Sequence, residues 1–132
     1  MSPWRVLGSV LLVVGLVLVV APTLAHDPGP AANTFEAIER RIPWGGVAGL
    51  GALLIARTTL RPWRGTIASF AFWVTLGLLV ARVAGLVLDG ADDQKQWMWV
   101  AVELVIVLAA AAYLRRNVAT RAPAAPVGPP ED

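Results

Sequence analysis

The chain predicts an all-α integral membrane protein, a four-helix transmembrane bundle. Three observations carry that reading. The residues are 57% hydrophobic and only 15% charged, whereas about a quarter are charged in ordinary soluble domains. The mean hydropathy is +0.65, and the apolar residues come in blocks long enough to read as membrane spans. Two opposite charges, Arg82 and Glu103, sit inside such blocks. An unmatched charge at that depth costs roughly 2.5–3.5 kcal/mol.

At 132 residues there is room for one domain,. The reading is a transmembrane domain over residues 1–116, with spans at about 4–25, 42–60, 65–88 and 96–114, and a disordered tail over 117–132. The absence of cysteine excludes disulfides and thiolate sites,. The net charge of +2 does not point to nucleic acid, because the arginines stand at the ends of apolar blocks, where they orient helices.

The first span, Trp4 to Ala25, is rich in Val and Leu, with Pro3 suited to a first helical turn and Pro22 marking the far end,. A cleaved leader is the rival reading, with Arg5 as its basic region and Thr23-Leu24-Ala25 as a small-x-small site,. The apolar run is longer than such a leader needs. His26 to Ala32 is a Pro/Gly-broken loop,. Asn33 and Glu36 then have the spacing of a capping box that starts a short helix, TFEAIERR, with Glu36, Glu39 and Arg40 solvated,. Pro43 is expected to kink its junction with the second span,.

Between Arg41 and Arg57 that span has fifteen uncharged residues, few for a crossing. It reaches across if the preceding helix is continuous with it and the flanking arginines snorkel. Gly45, Gly49, Ala52 and Ala56 form one stripe, and Gly77, Ala81 and Gly85 another. Small residues at this spacing let helices approach closely in lipid. A basic turn, Arg57 to Arg64, precedes the third span, and an acidic turn, Asp89 to Lys95, separates it from the fourth. Arg115 and Arg116 stop the fourth span, and the Pro/Ala-rich tail after it lacks an apolar face,.

Orientation follows from the basic residues. With the N-terminus inside, Arg5, Arg57, Arg61, Arg64, Arg115, Arg116 and Arg121 lie on the cytoplasmic side, against Arg40, Arg41 and Lys95 outside,. Both termini are therefore expected in the cytoplasm. The lipid bilayer is the first partner this implies.

Arg82 lies seven residues before Asp89, and Glu103 seven after Gln96. Across a hairpin this sets both charges about 10 Å below one surface. Two roles follow for the pair. It is either an internal ion pair that sets the register of the third and fourth helices, or part of an outward-opening polar pocket. Arg40 or Arg41 is expected to join that pocket, since two guanidinium forks would suit a carboxylate or phosphate ligand. His26 is the only histidine, too little for a metal site. The acidic turn lacks the spacing of a calcium loop,. No nucleophile-base-acid set, phosphate loop or cofactor motif can be assembled, so the expectation is no catalytic residue, no metal and no cofactor.

Three segments carry a likeness to a known family. They are Glu39-Arg40-Arg41 leading into Trp44-Gly45-Gly46, the run Ala81-Arg82-Val83-Ala84-Gly85-Leu86-Val87-Leu88-Asp89-Gly90, and Glu103 early in the last helix. On these the chain, over about Val6 to Tyr113, resembles a family of small bacterial four-helix membrane proteins catalogued as a domain of unknown function. More remotely it is similar to DoxX-type bundles and to the small four-helix scaffold of sterol synthesis. The resemblance implies a bacterial cytoplasmic membrane protein and a fold, with no settled biochemistry. The function expected is a non-enzymatic scaffold or accessory subunit locked by Arg82 and Glu103. The alternative is a binding or transfer protein for a lipid or amphiphile, whose polar head meets Arg82, Glu103 and Arg40 or Arg41. A membrane partner protein would fit the first reading and a lipid-like ligand the second.

Overall fold

A computed structural model of the protein describes residues 2–57 and 63–120. Among these residues the regular structure is all helical: α1 (Pro3–Val20), α2 (Thr34–Glu39), α3 (Ile42–Ala56), α4 (Trp63–Leu88) and α5 (Gln94–Ala119). A single 3-10 turn, Pro22–Leu24, follows α1. Three helices are long and apolar enough to cross a membrane, at Pro3–Val20, Arg64–Leu88 and Gln94–Ala119. The fourth long element, α3, has 15 residues. That is about 22 Å of helix, short of a hydrocarbon core of about 30 Å. The basic turn at 58–62 and the tail beyond 120 lie outside the described residues.

Helix ends follow from local chemistry. α1 stops at Val20, before the expected Ala25, because Pro22 has no N–H and forces its neighbour out of the helical region. Ala21 accordingly has φ −128° and ψ 71°. Asn33 caps α2, its Oδ1 accepting from the Glu36 N–H at 2.8 Å, while the return bond of the expected capping box goes one residue earlier, Glu36 Oε2 accepting from the Ala32 N–H at 2.9 Å,. Arg40 and Arg41 keep helix-like dihedrals through the two-residue turn between α2 and α3. Pro43 therefore opens α3 in its first turn, where its missing N–H costs nothing,. Gly90, at φ +121°, turns the chain after α4, and Asp93 Oδ1 caps α5 through the Lys95 N–H at 2.7 Å. α5 runs to Ala119, past the expected limit at 114.

The long helices pack in chain order. Among the long helices α3 lies between α1 and α4, and α5 packs chiefly on α4, with no substantial contact between α1 and α5. Small residues make the two inner seams. A side-chain carbon on Gly15 would stand 2.5 Å from the Ala48 nitrogen, and one on Gly8 would stand 2.8 Å from the Gly51 carbonyl oxygen. On the other face of α3, Gly45 and Gly49 lie against the backbone of α4 at Gly77 and Trp73. Half of the expected α3 stripe thus serves the α4 seam. The α1 seam, made by Ala48 and Gly51, is a second stripe on the opposite face. Close approach of this kind brings the helix backbones into direct van der Waals contact in place of interleaved bulky side chains.

Candidate functional site

The buried side of α5 is one stripe: Gln96, Glu103, Val107 and Ala110. Its first two members are polar, and they face Arg82 on α4. The Arg82 Nη2 donates to Glu103 Oε1 at 3.0 Å, and its Nε reaches both Glu103 oxygens at 3.2 Å. Nη1 donates to Glu39 Oε1 at 3.0 Å and also to Gln96 Oε1. The Gln96 amide closes the ring by donating to Glu39 Oε1 at 3.2 Å. The Trp99 ring lies under the guanidinium, 5.9 Å from its central carbon, within range of a cation–π contact.

Three elements meet here. α4 supplies the cation, α5 a carboxylate and an amide, and α2 the second carboxylate. Arg82, Gln96 and Glu103 are all buried, whereas the Glu39 side chain is 39% exposed and marks the outer edge of the cluster. Among the described residues, every buried side-chain nitrogen and oxygen has a hydrogen-bond partner. That satisfaction offsets the desolvation of the charges, which would otherwise exceed the attraction between them.

Ten ångströms or so along α4, a second ion pair stands on the same face. The Arg41 Nε and Nη2 grip Asp89 in a two-pronged bond, at 2.7 and 2.8 Å. Its Nη1 donates to the carbonyls of Val19 and Val20, both at 2.7 Å. Arg41 therefore ties the carbonyl end of α1 to the end of α4, where a cation also suits the helix dipole. The bonds to Asp89 raise its pKa above the ordinary arginine value. Between the two pairs Ile38, fully buried, seats on Gly85. Residues 38–41 thus clasp one face of α4 at three points.

Arg82 and Glu103 are brought together, but the expected third partner is different. Arg41 is committed to Asp89, and Arg40 bonds Glu36 at 2.6 Å and the Gly29 carbonyl at 2.7 Å. Neither arginine turns toward the cluster, because each is held by another acid, Glu36 for Arg40 and the largely buried Asp89 for Arg41. Glu39 and Gln96 take the places expected for them. The signal for Gln96 was its seven-residue spacing from Glu103, which puts it on the same helix face. For Glu39 it was the charge order: acid then base in Glu39 and Arg41 mirrors base then acid in Arg82 and Asp89.

The other candidates are unremarkable. His26 and Arg40 border a cavity of about 160 Å³ at the loop end, with Trp44 and Pro28. Among the described residues no three His, Cys, Asp or Glu side chains converge as a metal site. An apolar cavity of about 170 Å³ lies between α1, α3 and α4, lined by Leu12, Leu16, Trp73 and Val80 among others. A groove of about 520 Å³ runs between the first half of α4 and the second half of α5. None of these three is lined by a member of the polar cluster.

Fold and cluster together define the class: a small all-helical protein whose long apolar helices are compatible with a membrane protein. The chain belongs to the family described as a domain of unknown function, DUF4345, whose model matches residues 5–114. That bears out the family likeness read over Val6 to Tyr113. No curated protein and no solved structure matches the chain.

Proposed function

We propose that this is a non-enzymatic integral membrane protein, a scaffold or accessory subunit, in which Arg82, Glu103, Glu39 and Gln96 form an internal lock. The setting we infer is a bacterial cytoplasmic membrane, with α1, α3, α4 and α5 inserted and both termini in the cytoplasm. The observation that carries the reading is saturation. The Arg82 guanidinium donates to three partners on two other elements, and among the described residues the buried side-chain polar atoms are all satisfied. A ligand-binding guanidinium would instead keep donors aimed into a cavity. The reading of a lipid- or amphiphile-binding pocket at Arg82 draws less support, since the cavities described lie elsewhere.

The asymmetry of seven cytoplasmic basic residues against three outside supports the orientation,. α3 is short, but its helix-like junction with α2 extends its reach toward the surface. The testing experiment replaces Arg82 with Met and Glu103 with Leu together in the full chain in lipid nanodiscs. Engineered cysteine pairs between α4 and α5 then report their register. A mixture of registers, or misfolding, is the expected result. A double variant that keeps a single wild-type register and melting temperature overturns the lock.

A further inference from the structure

We propose that the groove between α4 and α5 binds an anionic phospholipid, with an acyl chain along α5 and the phosphate at Arg64. This site is at the opposite end of the α4–α5 hairpin from the polar cluster and goes beyond the lock.

Three observations support it. The first is the groove's chemistry. Its walls are alkyl, with Ile67, Ala71, Val105 and Ala109 among them, and it ends at the Arg64 guanidinium and the Tyr113 phenol. Arg64 is exposed, Tyr113 is 41% exposed, and neither side chain has a hydrogen-bond or ion-pair partner among the described residues. An apolar trough headed by a free cation and a hydroxyl matches a molecule with an apolar tail and an anionic head.

The second is size. The lining runs from Arg64 to Ala71 on α4 and from Val105 to Tyr113 on α5, about 10–12 Å of helix. The groove has a volume of about 520 Å³ and is open along one side, so an extended hydrocarbon chain can lie in it from the surrounding lipid.

The third is charge. Neither α4 nor the stretch from Leu104 to Ala119 of α5 contains an acidic residue, and Arg115 and Arg116 lie two and three residues beyond Tyr113. Such an end is complementary to an anionic headgroup, at about 1 kcal/mol per basic residue near an anionic surface, or roughly fivefold in binding.

The test uses the full chain in nanodiscs. Because the protein has no cysteine, Ala109→Cys gives a single site for a bimane label, on an exposed position of the groove. The label is challenged with brominated-chain phosphatidylglycerol and, separately, with brominated-chain phosphatidylcholine, each in an unbrominated phosphatidylcholine background. Preferential quenching by phosphatidylglycerol is expected, with the preference falling roughly fivefold in Arg64→Gln. Equal quenching by the two lipids, or a preference that survives Arg64→Gln, overturns the proposal. So does quenching by neither, which would mean that protein covers the groove. Native mass spectrometry of the unlabelled chain gives an independent reading: retained phosphatidylglycerol should decline in Arg64→Gln while retained phosphatidylcholine does not.

Discussion

Gly85 and Ile38 are in such close contact that a side-chain carbon on Gly85 would stand 2.9 Å from both the Cγ1 and Cγ2 of Ile38. This contact lies between the Arg82 cluster and the Arg41–Asp89 pair, and it lets the loop strap lie flat on α4. Gly85→Ala is therefore expected to lower stability by about 1–3 kcal/mol, the usual cost of overpacking. Thermal unfolding followed by helicity in detergent measures it. Ile38→Ala in the same chain should recover part of the loss, since the two residues share one contact.

Arg82 is expected to matter more than either of its acids. Arg82→Met leaves Glu103 and Glu39 without their cation, at a cost of about 3–5 kcal/mol. Glu103→Gln keeps a hydrogen-bond acceptor and leaves Arg82 bonded to Glu39 and Gln96, so about 1–2 kcal/mol is expected. Equal losses in the two variants would show that the cluster does not act as a shared network.

For the second pair the order is also predictable. Asp89→Ala removes one partner of Arg41, which keeps its bonds to the Val19 and Val20 carbonyls. Arg41→Ala removes all of these bonds at once and unties α1 from α4. The arginine variant should be the less stable of the two by about 1–2 kcal/mol. Hydrogen exchange near the end of α1 should rise only in that variant.

Glu36 supplies a pH dependence outside the long helices. The Ala32 N–H first, and Arg40 second, hold its carboxyl below the usual carboxylate range. A depressed folded value means the stabilising contribution is present above the unfolded pKa, about 4.3, and fades as pH falls through the folded value. The Ala32 amide should therefore lose exchange protection on acidification below about pH 4, and Glu36→Gln should flatten that response. Unchanged acid sensitivity in Glu36→Gln would remove Glu36 as its source.

Gly77 tests the inner seam. Its α-carbon faces the Gly45 carbonyl, and a side chain there would meet the Gly49 backbone at 2.8 Å. Backbone cannot yield as a side chain can, so Gly77→Leu is expected to separate α3 from α4 and leave the chain misfolded. Gel filtration in detergent would show this as loss of the monodisperse peak.

The helices were legible because their signals are local. Asn33 with Glu36, Asp93 before α5 and Pro22 after α1 act within a turn of themselves, and apolar length does the rest. Arg82 and Glu103 were legible as a pair because one hairpin carries both and equal spacing from its turn sets their depth. Glu39 was harder to read, because its position depends on how the loop after α1 folds back over α4. Next to Arg40 and Arg41 it looked like one more surface charge. The division of labour between Arg40 and Arg41 depends on the same fold-back, which brings Asp89 to one and Gly29 to the other. The seam between Ala48 and α1 was hidden for another reason: in a helix this rich in glycine and alanine, several stripes compete and composition does not rank them.

Serial packing of the long helices has a consequence for biosynthesis. Each one docks chiefly on a neighbour made shortly before it, α3 on α1, α4 on α3 and α5 on α4. Few distant pieces must find each other, which favours rapid and orderly assembly. A chain emerging from the ribosome could add hairpins one after another, with Glu39 and Arg41 already waiting when Arg82 and Asp89 arrive. Only Gln96 and Glu103 would come late, so α5 supplies the hydrogen-bond partners of the Arg82 Nε and Nη2 that the earlier helices leave open.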